Sequence, residues 1–291
     1  MISKSIKILY FQVCLLGALF IVLYFPFIRT MVHDWTIDDN YSHGFLVPFI
    51  SAYMIWTRRR ELRDVVISPS NWGLLFIVLG LSQLTVAKIG SELFLQRTSI
   101  IITLFGIVLF LLGKEFTKKI IVPLLYLAFM VPIPAIVWNK IAFPMKLFAS
   151  YIAANIIDGI GIPILREGNI LHLTSTTLEV ADACSGLRSL TSLLALSAAF
   201  AYISPLRKAD KFILFFSAVP IAIVVNIFRL VMTAILAQHF GAHVAEGFLH
   251  EMSGILVFVI AFLLLFVVYS ILSKLEGHEI SATNHTDDQT A

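Results

Sequence analysis

The chain has 291 residues, of which 59% are hydrophobic and only 13% are charged, whereas about 25% of the residues of an average soluble domain are charged. This composition excludes an ordinary soluble protein and indicates an integral membrane protein. The formal net charge of +3 is small and is spread over several connecting segments, so the sequence predicts no nucleic-acid binding.

Long apolar runs predict an all-α fold, a polytopic bundle of about eight transmembrane helices. Several runs reach the ~17 to 25 residues that a helix needs to cross ~30 Å of hydrocarbon, and no segment shows the ~10-residue alternation of a transmembrane barrel. The first run has no small-residue cleavage site and is therefore predicted to be a retained helix. The predicted spans cover residues 6–28, 44–57, 71–88, 98–113, 119–137, 184–203, 211–238 and 250–273.

The positive charges predict how these helices are oriented. With the N-terminus inside, thirteen Lys and Arg residues fall on cytoplasmic segments, among them the clusters RRRELR, GKEFTKK and PLRKADK, and six fall on the opposite side. Positive residues favour the cytoplasmic face. The sequence therefore predicts an inner-membrane domain over residues 1–275 with both termini in the cytoplasm, and a polar, disordered cytoplasmic tail over residues 276–291.

One long segment, residues 138–183, is predicted to lie outside. Its first part, residues 141–160, contains Lys146 and Asp158 and is expected to be interfacial or re-entrant. Its second part, REGNILHLTSTTLEVADA, alternates β-branched and polar residues, which is typical of a short β-hairpin. This hairpin-like segment is expected to precede the sixth span directly.

Three side chains with reactive chemistry fall near one predicted depth. At a rise of ~1.5 Å per residue, Cys184 lies ~29 Å up the sixth span, Arg229 ~26 Å up the seventh and His250 ~35 Å up the eighth. All three are therefore expected near the outer interface of a core ~30 Å thick. Ionisable residues inside a membrane are costly and indicate function.

A thiol, a histidine and an arginine together predict acyl transfer. Histidine takes the proton of the thiol or holds the thiolate as an ion pair, and a guanidinium directed at an oxyanion stabilises the transition state. Cys14 lies about 20 Å below the outer face, out of disulfide range of Cys184, so Cys184 is expected to be a free thiol in an oxidising compartment. Each residue alone has a simpler interpretation, as a packing cysteine, a snorkelling arginine or an interfacial histidine.

The residues around these three positions resemble the exosortase and archaeosortase family. The resemblance rests on LEVADACSGLRSL, NIFRL and FLHEMSG, and on WTIDDNYSHGFLVPFISAYMIWTRRREL near the N-terminus, and it covers about positions 34 to 270. It implies a membrane cysteine protease or transpeptidase with Cys184 as the nucleophile. Arg229 and His250 complete the active site in this resemblance.

The same resemblance implies the substrates and partners. It implies secreted proteins with a C-terminal sorting signal made of a Pro-containing motif, a transmembrane helix and a basic cluster. These signals are expected to be cleaved on the outer face and transferred to an unidentified surface acceptor. Membrane lipid is the other expected partner, and no cofactor, metal or nucleic acid is expected. The recognised motif, the choice between water and an amine as acceptor, and the oligomeric state stay open.

Four further residues are predicted to support the site. Arg188, on the first turn of the sixth span, is expected to bind a substrate carbonyl or to anchor its helix. Asn226, three residues before Arg229, is expected to orient that guanidinium or simply to pack. His43 and Ser42 stand at the outer start of the second span, where they line an entrance or form a structural cap.

Two other functions compete with this prediction. A transporter also uses charged residues inside the membrane, and the VPIP run in the fifth span is compatible with the broken helices of transporters. Transporter sites, however, lie near the midplane, and the three reactive residues are predicted to lie higher. A non-catalytic component of exopolysaccharide export is the second alternative, and it would not need Cys184.

Overall fold

The computed structural model describes residues 2–174, 177–179, 187–241 and 248–287. The protein is mostly helical, with a small three-stranded sheet, and six of the described helices are long and apolar enough to cross a membrane. These features confirm a multi-pass helical membrane protein, and the count of eight spans stays a prediction. The chain forms two compact units, Met1–Pro134 and Ala135–Ala291.

The named elements of the first unit are all helices. Its elements are α1 (Ile2–Ile37), a 3₁₀ helix (Asp39–Phe45), α2 (Val47–Thr57), α3 (Arg59–Arg63), α4 (Trp72–Ile89), α5 (Leu93–Leu112), α6 (Lys114–Tyr126) and a second 3₁₀ helix (Leu127–Met130). Helices α1, α4 and α5 are long enough to cross a membrane, whereas the 11 residues of α2 extend only ~16 Å.

Glycines allow α4 and α5 to pack closely. A Cβ atom at Gly73 would overlap the backbone of Phe110, and one at Gly106 would overlap the backbone of Ile77. Small residues at a helix contact let two backbones approach each other inside a membrane, where packing drives association. The α4–α5 pair is therefore a tightly packed part of the first unit.

A buried tyrosine attaches α1 to α5. The side chain of Tyr24 is completely buried, and its hydroxyl lies 2.8 Å from the hydroxyl of Thr103 and 3.2 Å from that of Ser99. Polar side chains that are hydrogen-bonded between helices stabilise association in an apolar environment. A polar contact thus holds α1 against α5, although the rest of α1 is strongly apolar.

The predicted fifth span is interrupted. Helix α6 ends at Tyr126, a 3₁₀ turn follows, and residues 131–134 are not helical. Pro132 and Pro134 lie in this segment, and a proline has no N–H to donate to the preceding turn of a helix. The VPIP run therefore ends the helix, as its two prolines favour.

The second unit combines helices with the sheet. Its elements are α7 (Ala135–Gly159), β1 (Ile164–Glu167), β2 (Ile170–Leu173), β3 (Thr177–Glu179), α8 (Leu187–Ile203), α9 (Lys208–Phe240) and α10 (Phe248–Asp287). Residues 141–160 fall almost entirely within α7, which is continuous and is one of the six possible spans. Lys146 and Asp158 therefore do not interrupt the helix. The predicted boundary between domain and tail at residue 275 stays a prediction.

Helix α7 runs parallel to α9. Ala142 belongs to the same buried cluster as Val225, whereas Ile157, further along α7, belongs to the cluster of Ala237. The contacts thus advance in the same direction along both helices. Helix α8 runs antiparallel to α9, to which residues 204–207 connect it directly.

The three strands form an antiparallel sheet in the order β1-β2-β3. Leu171 and Leu173 of β2 are both buried and join a cluster with α7 and α9, as expected for alternate residues on one face of a strand. Beyond β2, the hydroxyl of Thr174 donates to the side-chain oxygen of Gln238 at 2.9 Å. The sheet therefore lies against the C-terminal end of α9.

Candidate functional site

A hydrogen bond shows which residues of α8 and α9 lie at the same height along the bundle axis, called their level below. The hydroxyl of Ser197 lies 3.4 Å from the carbonyl oxygen of Phe215. The first residue of α8, Leu187, is ten residues before Ser197. Because the helices are antiparallel, Leu187 lies level with about residue 225, ten residues beyond Phe215.

An ion pair sets the level of α10 in the same way. The guanidinium Nε of Arg207 lies 3.3 Å from a carboxylate oxygen of Glu276. His250 is 26 residues before Glu276 in one continuous helix, so its backbone lies level with about residue 233 of α9. Ala261 of α10 and Ala222 of α9 belong to one buried cluster, so these two helices pack against each other.

The start of α8, Arg229 and position 250 therefore lie at one end of a three-helix bundle. Their levels span about 12 Å along the bundle axis, because eight residues separate positions 225 and 233. The sheet lies against the same end of α9, through Thr174 and Gln238. The common depth of the three reactive side chains stays a prediction, and the described backbone brings the start of α8, Arg229 and position 250 to one end of the bundle.

Three predicted site residues have side chains outside the described set. Cys184 is outside the described residues, three positions before the first residue of α8, and three residues of chain reach at most ~11 Å. Arg188 and His250 have a described helical backbone, and their side chains are outside the described set. The catalytic and supporting roles of these residues stay predictions.

Arg229 and Asn226 differ in their surroundings. Arg229 is half-buried, whereas the side chain of Asn226 is buried with 1% of its surface exposed. Neither carboxamide atom of Asn226 has a hydrogen-bond partner among the described residues. Asn226 therefore makes no hydrogen bond to the guanidinium of Arg229, so the expectation that it orients that group has no support in the geometry.

Asn226 lines a cavity between α7 and α9. The cavity has a volume of about 170 Å³ and is lined by Pro144, Met145, Phe148, Ala149, Ile223 and Asn226. Five of these six side chains are apolar. This cavity could not be predicted from the sequence, because it depends on α7 being one helix that runs parallel to α9.

His43 and Ser42 both make local contacts in the first unit. The Nε2–H group of His43 donates a hydrogen bond to the carbonyl oxygen of Phe129 at 3.1 Å, and the hydroxyl of Ser42 donates to the carbonyl of Asp39 at 3.0 Å. Burial lowers the pKa of His43 below its ordinary value, and the bond to Phe129 offsets part of this effect. These contacts support the structural cap, and the entrance role stays a prediction.

Two aromatic side chains contact the same broken segment. The indole N–H of Trp35 donates to the carbonyl of Met130 at 2.9 Å, and the hydroxyl of Tyr41 donates to the carbonyl of Ile133 at 3.2 Å. In a continuous helix, the carbonyl of Met130 would accept from residue 134, which is a proline and cannot donate. The side chains of Trp35, Tyr41 and His43 thus satisfy carbonyls that the helix break leaves open.

A buried ion pair in the first unit was missed by sequence reasoning. Arg97 lies within α5, although its predicted place was just before the fourth span, and its side chain is only 5% exposed. Its guanidinium lies 2.5 Å from a carboxylate oxygen of Asp34, near the end of α1. Asp34 follows the first apolar run and Arg97 precedes the fourth, so no local pattern in the sequence indicated this pair.

Comparison with known proteins identifies the family. The model of a family described as transmembrane exosortase matches residues 35–267, which is well over half of the chain. No curated protein and no solved structure matches the chain.

Proposed function

Because the chain belongs to the transmembrane exosortase family, we propose that it is a membrane cysteine peptidase or transpeptidase that cleaves C-terminal sorting signals of secreted proteins. The observation that carries this proposal is the bundle end described above. There the start of α8, Arg229 and the backbone of His250 lie at similar levels, and Cys184 is three residues from α8.

In the proposed reaction, His250 takes the proton of the Cys184 thiol. The thiolate attacks the carbonyl carbon of the scissile peptide bond and forms a carbon–sulfur bond, and the negative charge that develops on the carbonyl oxygen faces Arg229. The carbon–nitrogen bond then breaks, and the leaving amine takes the proton from His250. An amine or a water molecule next attacks the thioester, gives its proton to His250 and releases the thiolate.

The proposed orientation puts this chemistry on the outer face of a bacterial inner membrane. If the interrupted fifth span and α7 each crossed the membrane completely, Arg207, Lys208 and Lys211 would lie on the same side as Arg29 and Lys88, and most of the charge asymmetry would be lost. We therefore retain both termini in the cytoplasm. A membrane-impermeant thiol reagent should label Cys184 in intact spheroplasts and spare Cys14, and labelling of neither or of Cys14 alone would reject this orientation.

The helix break does not favour a transporter. A transporter uses the free carbonyls of a broken helix to coordinate ions. Here the carbonyls of Phe129, Met130 and Ile133 already accept hydrogen bonds from side chains of the first unit. This segment has a structural explanation, and the transporter hypothesis loses its main support.

The direct test is the processing of a reporter protein that ends in a Pro-containing motif, an apolar helix and an Arg cluster. Cys184→Ala should abolish processing, and the full-length reporter should accumulate in the membrane. Cys14→Ala is the matched control, because it removes the other thiol from an exposed position on α1. Unchanged maturation of the reporter in Cys184→Ala cells would reject the cysteine mechanism.

A further inference from the structure

The buried carboxamide of Asn226 needs a partner that the described residues do not supply. A carboxamide has two N–H donors and an acceptor oxygen, and both the nitrogen and the oxygen of Asn226 are buried without a hydrogen bond among those residues. A polar group left unpaired in an apolar environment is costly, and buried side chains of this kind almost always find a partner. A ligand that supplies an acceptor and a donor at this position would remove that cost.

The cavity beside Asn226 limits what this ligand is. Its volume of about 170 Å³ is similar to that of an apolar cavity of ~150 Å³ that binds benzene and stays free of water. Phe148, which lines the cavity, is 52% exposed, so the cavity borders the surface of the helix pair. A ligand enters from that surface without passing through the core.

A peptide segment satisfies both features. Hydrocarbon chains of lipids fill apolar space and offer no hydrogen bond to Asn226, and water alone has no partners on the five apolar walls. A peptide group offers one C=O and one N–H, which match the donor and the acceptor of a carboxamide. Its neighbouring side chain supplies the apolar part.

We propose that this cavity is a substrate subsite in which the carboxamide of Asn226 pairs with a peptide group of the protein substrate, while an apolar side chain no larger than about a benzene ring fills the space between α7 and α9. The inference rests on the proposed function, because it takes the ligand to be the polypeptide that is cleaved. Asn226 is a specificity-determining residue and takes no part in bond breaking.

The position of Asn226 relates the subsite to the scissile bond. Asn226 lies three residues, or ~4.5 Å along the helix axis, before Arg229. An extended peptide advances ~3.3 Å per residue. The peptide group at Asn226 is therefore one or two residues away from the bond whose oxyanion faces Arg229.

Asn226→Leu tests the subsite because it removes the carboxamide and leaves a side chain of similar size. The variant should accumulate and melt at or above the temperature of the wild type, since an unpaired buried amide is replaced by an apolar side chain. Its KM for the reporter in proteoliposomes should rise roughly tenfold to a hundredfold with a smaller change in kcat, because a buried peptide group of the substrate loses its partner. Val225→Ile, at the buried neighbouring position, controls for added volume and should leave KM unchanged.

Photocrosslinking identifies the occupant without requiring activity. A benzophenone analogue of phenylalanine at position 148, introduced in the Cys184→Ala protein, should crosslink to the reporter. The same analogue at position 228 is the matched control, because Phe228 is 49% exposed and does not line the cavity. Crosslinks from position 148 to phospholipid only, or equal crosslinks to the reporter from both positions, would overturn the proposed subsite.

The proposed subsite and the proposed function can be rejected independently of each other. If the wild type processes the reporter, Cys184→Ala does not, and Asn226→Leu has an unchanged KM, then the subsite is wrong and the proposed function stands. If Cys184→Ala still processes the reporter, the proposed function is wrong whatever Asn226 does. A destabilised Asn226→Leu protein would show that Asn226 has an internal structural partner and would also reject the subsite.

Discussion

The hydroxyl of Ser150 lies 2.9 Å from the carbonyl oxygen of Gly168 and thereby attaches the turn between β1 and β2 to the middle of α7. Gly168 has a φ of 63°, a left-handed conformation that favours glycine in a two-residue hairpin turn. The same hydroxyl is also 3.0 Å from the carbonyl oxygen of Leu147, so its one proton is shared between the two carbonyls. The contact holds the sheet against the helices at a fixed position.

Ser150→Ala should therefore loosen the sheet without unfolding the bundle. Loss of this hydrogen bond is expected to cost about 0.5 to 1.5 kcal/mol and to make residues 164–179 more sensitive to limited proteolysis. Ser270→Ala is the control, since the hydroxyl of Ser270 donates only to the carbonyl of Phe266 within its own helix at 2.9 Å. Equal proteolysis of the sheet in both variants would show that the contact has no such role.

Substitution of Asp34 and substitution of Arg97 should destabilise the protein by different amounts. Arg97 is 5% exposed and Asp34 is 32% exposed, so Asp34→Leu leaves a fully buried charge unpaired, whereas Arg97→Leu leaves a charge that still contacts solvent. Asp34→Leu should therefore destabilise more, by about 3 to 5 kcal/mol, and the double variant should recover much of the loss. Melting temperatures in detergent measure this order, and a stable Asp34→Leu protein would contradict it.

His43 predicts a loss of stability in acid. Burial keeps the pKa of His43 below its ordinary value of 6.5 in the folded protein, so between these two values the unfolded chain binds more protons than the folded one. Stability therefore rises with pH through that window and falls as the pH drops below about 6.5. His43→Gln keeps a donor for Phe129 and should have a flatter stability profile between pH 7 and 5. An identical profile in the wild type and the variant would contradict this prediction.

Arg229 is expected to act through the planar geometry of its guanidinium. A lysine would keep the charge and reach the same headgroups, yet it cannot present two parallel N–H groups to an oxyanion. Arg229→Lys should accumulate normally and process the reporter about 100 to 1,000 times more slowly, as for the loss of one transition-state contact. Protein level and cleavage are measured in the same membranes. Near-normal cleavage would move the oxyanion role to another donor, with Arg188 as the first candidate.

The sequence predicted the features that depend on local composition. Apolar runs indicated the helical membrane fold, and the alternation before Cys184 indicated strands, although the placement of a hairpin directly before the sixth span stays a prediction. The VPIP run was assigned to the fifth span, and its prolines were compatible with a break there. The spacing along each helix also gave Arg229 and His250 similar expected depths, because the rise per residue is constant, and their shared site stays a prediction. These properties depend on a few neighbouring residues.

Features that depend on contacts between distant segments could not be predicted in this way. The burial of Arg97 depends on Asp34, 63 residues earlier, and the cavity at Asn226 depends on α7, about 80 residues earlier. The continuity of α7 was missed because Lys146 and Asp158 lowered its apparent hydrophobicity. Pairing of separate helices has no signature in one sequence.

Hydroxylamine trapping tests the covalent cysteine mechanism most directly. This small nucleophile intercepts a thioester, so membranes that contain the wild-type protein and the reporter should release a fragment with a hydroxamate at its new C-terminus. Cys184→Ala membranes should release none, and Cys14→Ala membranes should release the same fragment as the wild type. Cleavage of the reporter by Cys184→Ala membranes, with no hydroxamate formed by the wild type, would contradict the account.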